Sequence, residues 1–217
     1  WIAAAGRGVA VLSDGAAEQL AVLEEGAAPA MRVNDGSCDP AGRFWVGSMA
    51  YDTTPGAGAL YRVDHDGAVS KALTGLTVPN GPAWSRDGDV MYLADSAAGR
   101  IDAYPADVER GELGPPRRFA QLEPGLSPDG MTVDDEGCLW TAVWDGAEVR
   151  RYRPDGALDR RLPLPTSRPT SCCFGGPGMR RLFVTTAAYG LDDEAAGAVY
   201  AFDLDVAGKP ATAFGPQ

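Results

Sequence analysis

The sequence predicts an all-β fold, a β-propeller, on three observations. A unit recurs along the chain with a period of about 40–50 residues, the length of a four-stranded blade. Its segments alternate apolar and polar residues over short runs bounded by Gly, Pro and Asp, the pattern of hairpin strands. No stretch sustains a 3.6-residue apolar period; Ala16 to Leu23 comes nearest and is short.

Taken in order, the first half of the unit reads Asp-x-x-Gly, two spacers, then an aromatic or large apolar residue opening a β-rich run. It appears as Asp39-Pro40-Ala41-Gly42-Arg43-Phe44-Trp45, as Ser85-Arg86-Asp87-Gly88 leading to Tyr92, and as Asp134-Asp135-Glu136-Gly137-Cys138-Leu139-Trp140. Gly175 to Phe183 repeats it more loosely. Gly42, Gly88, Gly137 and Gly178 stand 46, 49 and 41 residues apart. A second half follows each time, at Gly58 to Tyr61, Gly99 to Tyr104, Gly146 to Tyr152 and Gly197 to Tyr200. The chain opens inside a blade: Trp1-Ile2-Ala3 matches Trp45-Val46-Gly47 at an interval of 44 residues, and Gly8 to Leu12 supplies the second half. The expectation is one propeller domain over residues 1–217, incomplete at its N-terminus, with about four and a half to five blades present.

Composition narrows the function. Of 217 residues, 45% are hydrophobic and 23% charged, values of a globular chain with a real core. Thirty acidic against nineteen basic side chains give a net charge of −11, which argues against nucleic acid and anionic membranes as partners. Apolar runs such as Val9 to Leu12 are too short for a transmembrane helix. Trp1-Ile2-Ala3 does not read as a secretory signal. Cys38, Cys138, Cys172 and Cys173 form no Cys-x-x-Cys pair, so buried thiols in a reducing, cytoplasmic compartment are expected. The single histidine, His65, lies in the turn Asp64-His65-Asp66-Gly67, and no Gly-x-Ser-x-Gly elbow accompanies it, which argues against a serine triad. Histidine-based zinc sites are excluded in the same way.

The innermost strand of each blade lines the propeller axis, so repeat-equivalent residues converge there. Eight residues before each repeat glycine stand Asn34, Asn80, Asp129 and Thr170. Asn-Gly and Pro-Asp-Gly are common turn dipeptides taken singly; four oxygen-bearing side chains at one offset make a site. Amide and carboxylate oxygens without thiolate or imidazole suit a hard divalent cation. Asn80 and Asp129 are too few for tight binding, so a further carboxylate is expected from the missing N-terminal blade.

The strings RVNDGSCDPAGRFWVGSM, VPNGPAWSRDG, SPDGMTVDDEGCLW and RPTSCCFGG, in that order, resemble the SMP-30/gluconolactonase/luciferin-regenerating-enzyme-like family of regucalcin-like sugar lactonases. The resemblance implies a six-bladed propeller with one divalent metal at the channel mouth, Ca²⁺ foremost, with Zn²⁺, Mn²⁺ or Mg²⁺ as alternatives. The family's asparagine and aspartate ligands fall on Asn80 and Asp129; its glutamate, from a Glu-Gly-Pro motif, has no counterpart in these residues. Its substrate-binding Arg and Asn fall on Arg32 and Asn34, and an acidic residue after the Gly-Ser-Met motif falls near Asp52. The implied activity is metal-dependent hydrolysis of a sugar lactone to an aldonic acid. In it the metal polarises the carbonyl and acidifies a bound water, Asp129 acts as ligand and base, and Arg32 and Asn34 hold hydroxyls and the developing oxyanion.

Two other classes stand beside this one. A non-catalytic calcium-binding propeller would use the metal only to tie blades together. A strictosidine-synthase-like enzyme would want a channel glutamate in the later blades, where Glu194 lies in the acidic run Asp192-Asp193-Glu194. A paraoxonase-like enzyme would want a histidine dyad, which His65 alone does not supply.

Overall fold

A computed structural model describes residues 1–216, which build five antiparallel sheets arranged as the blades of a propeller. The first sheet holds β1 (Ile2–Ala5), β2 (Gly8–Ser13) and β3 (Ala16–Val22). The second holds β4 (Met31–Cys38), β5 (Phe44–Ala50), β6 (Gly58–Val63) and β7 (Val69–Leu76). The third comprises β8 (Pro79–Trp84), β9 (Val90–Asp95) and β10 (Arg100–Asp107), with β11 (Glu112–Leu113) and β12 (Arg117–Gln121) both paired to β10. The fourth is β13 (Ser127–Val133), β14 (Leu139–Trp144), β15 (Glu148–Tyr152) and β16 (Leu158–Pro163). The fifth is β17 (Pro169–Gly175), β18 (Arg181–Thr186) and β19 (Val199–Asp203). Strands β4, β8, β13 and β17 pack against one another in that order and line the axis.

The repeated Asp-x-x-Gly has a physical job. Asp39 Oδ1 accepts the backbone N–H groups of Ala41 and Arg43, and Oδ2 accepts Arg43 Nε at 2.7 Å and the Trp45 indole Nε1 at 2.9 Å. Asp134 does the same one blade-pair further on, taking Glu136 N, Cys138 N, Trp140 Nε1 and Arg151 Nε. Each aspartate is buried, and each turn is completed by a glycine with positive φ, 79° at Gly42 and 82° at Gly137. In the third blade Ser85 replaces the aspartate and Tyr92, which has no indole N–H, replaces the tryptophan. There the serine hydroxyl serves only Val90 N and Asp89.

The core lies between blades. Trp45 and Leu60 of the second blade pack with Met91, Leu93 and Tyr104 of the third. Tyr92, Ile101 and Phe119 meet Met131, Leu139 and Tyr152, and Trp140 and Val149 meet Phe174, Leu182 and Val184. Full burial of each such side chain stabilises the fold by roughly 1.5–3 kcal/mol. Inner strands approach closely at Gly130, where a Cβ would fall on the Ser171 side chain.

Ala16–Val22, the nearest approach to a helical period, is strand β3. Among the described residues no helix is long and apolar enough to cross a membrane. The thiols differ from the expectation of uniform burial: Cys138 and Cys172 are buried, Cys38 is partly buried, and Cys173 is exposed because neighbours on β17 point to opposite faces.

Candidate functional site

All four axial strands break register at or next to the predicted offset; on β8 Asn80 still pairs with Ala94 and the skipped residues are Gly81 and Pro82. On β4 the ladder passes from Val33 to Gly36 and skips Asn34 and Asp35; on β13 it passes from Pro128 to Met131 and skips Asp129 and Gly130. On β8 the break follows Asn80, and on β17 it holds Thr170. A β-bulge frees its extra residue from pairing and re-aims the side chain. The freed backbone is partly served locally: Thr141 Oγ1 donates to the Asp129 carbonyl at 3.2 Å.

Three of the predicted residues are joined directly. Arg32 Nη1 donates to Asn34 Oδ1 at 2.7 Å and to the Val33 carbonyl. Asn34 Nδ2 donates to Asn80 Oδ1 and to the Pro79 carbonyl, each at 2.8 Å. Asn80 Nδ2 donates to Ser96 Oγ at 2.7 Å, and Ser96 Oγ donates to the Pro128 carbonyl at 2.5 Å, one residue before Asp129.

Asp129 accepts its own Gly130 N–H at 2.9 Å, and Asp35 accepts Gly36 N and Gly81 N at 2.8 and 2.9 Å. Among the described residues neither carboxylate has an Arg or Lys partner in a salt bridge. Burial, and then the charge of Asp35, push Asp129 up to about 7, against the lowering effect of the Gly130 N–H. Burial raises Asp35 as well. Asp35, Gly81, Met131 and Cys172 line a cavity of about 1120 Å³ that Phe44, Trp84 and Phe174 extend and the segment Lys209 to Phe214 borders.

Thr170 bonds to Thr185 on its own blade at 2.8 Å. Asp52 stands apart from this network. It is exposed in the loop after β5, where Oδ1 accepts Thr54 Oγ1 at 2.7 Å and Thr54 N at 3.0 Å, contacts that hold its carboxyl below the ordinary range. His65 is exposed, with its ring edge-on to Phe214.

Ser96 and Asp35 are absent from the sequence-derived set. The repeat gives no sign of them: the residues equivalent to Ser96 by ladder register are Met49 and Trp144, and those equivalent to Asp35 are Gly81, Gly130 and Ser171. The one available signal was the adjacency of Asp35 to Asn34.

Bulged axial strands bearing Asn, Asn and Asp around a propeller channel define the class, and comparison with known proteins gives the family. The model for the SMP-30/gluconolactonase/LRE-like region matches residues 1–188, and the chain belongs to that family. It is 40% identical over 182 residues to pentonolactonase XacC of Haloferax volcanii, covering 78% of this chain and 62% of that protein. It is 38% identical over 161 residues to regucalcin of Gallus gallus, covering 71% of this chain and 54% of that one. A solved structure of regucalcin from Agrobacterium tumefaciens, a calcium-binding protein, superposes with a TM-score of 0.91 at 30% identity, over 98% of this chain and 75% of that one. The chain thus spans somewhat over half the length of the curated relatives.

Proposed function

We propose that this chain carries the lactone-hydrolysing centre of a metal-dependent sugar lactonase, acting on a sugar lactone to give the aldonic acid. The carrying observation is the donor set: the Asn80 amide and the Asp129 carboxylate sit on adjacent axial strands, with no cationic side chain paired to Asp129 or to nearby Asp35 among the described residues. Oxygen donors without a positive neighbour fit one hard divalent cation, Ca²⁺ foremost. Among the described residues no three His, Cys, Asp or Glu side chains cluster, so Asn80 and Asp129 would hold the ion together with a carboxylate from elsewhere, as the family resemblance implies. When bound, the cation supplies Lewis-acid activation of the lactone carbonyl and of water.

The chain's own residues do the remainder. Asp129 takes the proton of the attacking water as a general base. Water oxygen bonds to the carbonyl carbon, the ring C–O bond breaks, and the ring oxygen leaves as a hydroxyl by taking back the proton that Asp129 removed from the water. Arg32 commits Nη1 to Asn34 and Val33, which leaves its other N–H groups for substrate oxygens. Asn34 is held in register by Asn80 and Pro79, beside the developing oxyanion. Asp52 keeps Oδ2 for a substrate hydroxyl at the rim. A pentonolactonase among the relatives supports this reading.

The regucalcin likeness favours a second reading, a calcium-binding propeller without hydrolysis. Acid release from a panel of pentono- and hexonolactones decides between them, using chain stripped by chelator and then given Ca²⁺, Mn²⁺, Mg²⁺ or Zn²⁺. Metal-restored acid release is expected. A metal-dependent rise in melting temperature with no acid release from any lactone would establish the second reading instead.

A further inference from the structure

We propose that Ser96 is a positioning residue: with Arg32 at the far end of one hydrogen-bond relay, it holds the Asn80 amide and sets which face is turned to the channel axis. The proposal deepens the reading of Asn80 as a metal ligand and rests on it.

An amide has an acceptor end and a donor end of nearly the same shape, so its direction must be read from its partners. Here both ends of the relay are unambiguous. At one end the Arg32 guanidinium only donates; at the other the Pro128 carbonyl only accepts. Ser96 has one hydroxyl proton and gives it to Pro128, so it offers Asn80 a lone pair, which only Nδ2 can use. Asn80 Oδ1 is then left toward Asn34, whose Nδ2 reaches it at 2.8 Å and whose own Oδ1 receives Arg32. Every bond from Arg32 to Pro128 runs one way, and reversing any one would set donor against donor or acceptor against acceptor. The outcome is an Asn80 carbonyl oxygen, rather than its NH₂, on the side a cation would occupy.

Ser96 is itself held in place. It is buried at the head of a short 3-10 turn, Ser96–Ala98, and its N–H donates to the Val78 carbonyl at 2.9 Å. The preceding Asp95 accepts Thr77 N and Val78 N, so one dipeptide pins both the backbone leading into Asn80 and its side chain. Through Pro128 the same hydroxyl ties the Asn80 strand to the Asp129 strand.

The chain provides its own reporter, because Asn34 and Asn80 are its only asparagines. With ¹⁵N-asparagine labelling, side-chain NMR shows two NH₂ pairs, assigned with Asn34→Asp. In the metal-free wild type the Asn80 pair is expected to be shifted and protected from hydrogen exchange. Ser96→Ala should release it and weaken Ca²⁺ binding by calorimetry about tenfold or more, the usual cost of losing a group that orients a ligand. Ser96→Thr, which keeps the hydroxyl, should restore both. A wild-type Asn80 amide that exchanges as freely as a solvated one overturns the proposal even if Ser96→Ala does not fold. So does Ca²⁺ affinity unchanged in Ser96→Ala. If the wild type binds no metal and opens no lactone, the lactonase reading fails, and the NMR comparison still decides whether Ser96 orients Asn80.

Discussion

Asp35 raises the pKa of Asp129 although the two carboxylates stand on different blades, β4 of the second and β13 of the fourth. Their bulges free both residues from strand pairing.

The sign of the resulting pH dependence follows. Asp129 ionises at 3.8 when exposed and near 7 in the fold, so between those values the folded chain binds more protons than the unfolded one. Stability from this group therefore falls as pH rises through that window. In chelator, Asp129→Asn should melt a few degrees above wild type at about pH 8 and converge with it at about pH 4. The same variant should lose metal-stimulated lactone hydrolysis. Identical melting curves at both pH values would show that Asp129 is not under burial stress.

Arg32→Ala should chiefly raise KM for the lactone, by about tenfold or more, because a charge-assisted contact to substrate oxygens is removed. Arg32→Lys should recover only part of it, since an ammonium cannot hold Asn34 and the substrate in one plane. Steady-state kinetics over a range of lactone concentrations reads this directly; an unchanged KM would take Arg32 out of the site.

Asp134→Ala should destabilise the fold by about 3 kcal/mol, because it strands the Trp140 indole and leaves Arg151, which is nearly buried, short of a partner. Urea denaturation followed by tryptophan fluorescence measures the loss. Asp39→Ala should behave alike, whereas Ser85→Ala, at the equivalent turn with fewer bonds, should cost about 1 kcal/mol.

Glu123 gives a surface contrast. Arg150 first, and Arg161 with it, holds its carboxyl down to about 2. Its contribution is present above the ordinary 4.5 and is lost as pH falls toward 2. The Glu123 side chain is 55% exposed, so screening keeps the effect under about 1 kcal/mol. The melting difference between wild type and Glu123→Gln should be flat above about pH 5, shrink below it, and shrink again in high salt.

Legibility followed repetition. Asp39 and Asp134 each hold a turn and a tryptophan, and two copies of one physical solution are visible as a pattern. Asn34, Asn80 and Asp129 were legible because each sits in or directly beside the bulge of the same strand in its blade. Ser96 was not, since its 3-10 turn is found in one blade of the described residues and its equivalents are the apolar Met49 and Trp144. Asp35 was hidden because its equivalents are two glycines and a serine. Family likeness added Arg32 and Asp52, which no periodicity marks; Asp52 bonds only within its own loop.

The four bulges also separate two kinds of information along the same strand. Residues before and after each bulge carry the ladder, so they answer to the demands of folding. The bulged residues carry almost none of it, and Asn, Gly, Asp and Thr already occupy these places in different blades. Such a ring is open to evolutionary substitution one blade at a time: a change of side chain there alters what the channel recognises while the barrel of strands around it is inherited intact.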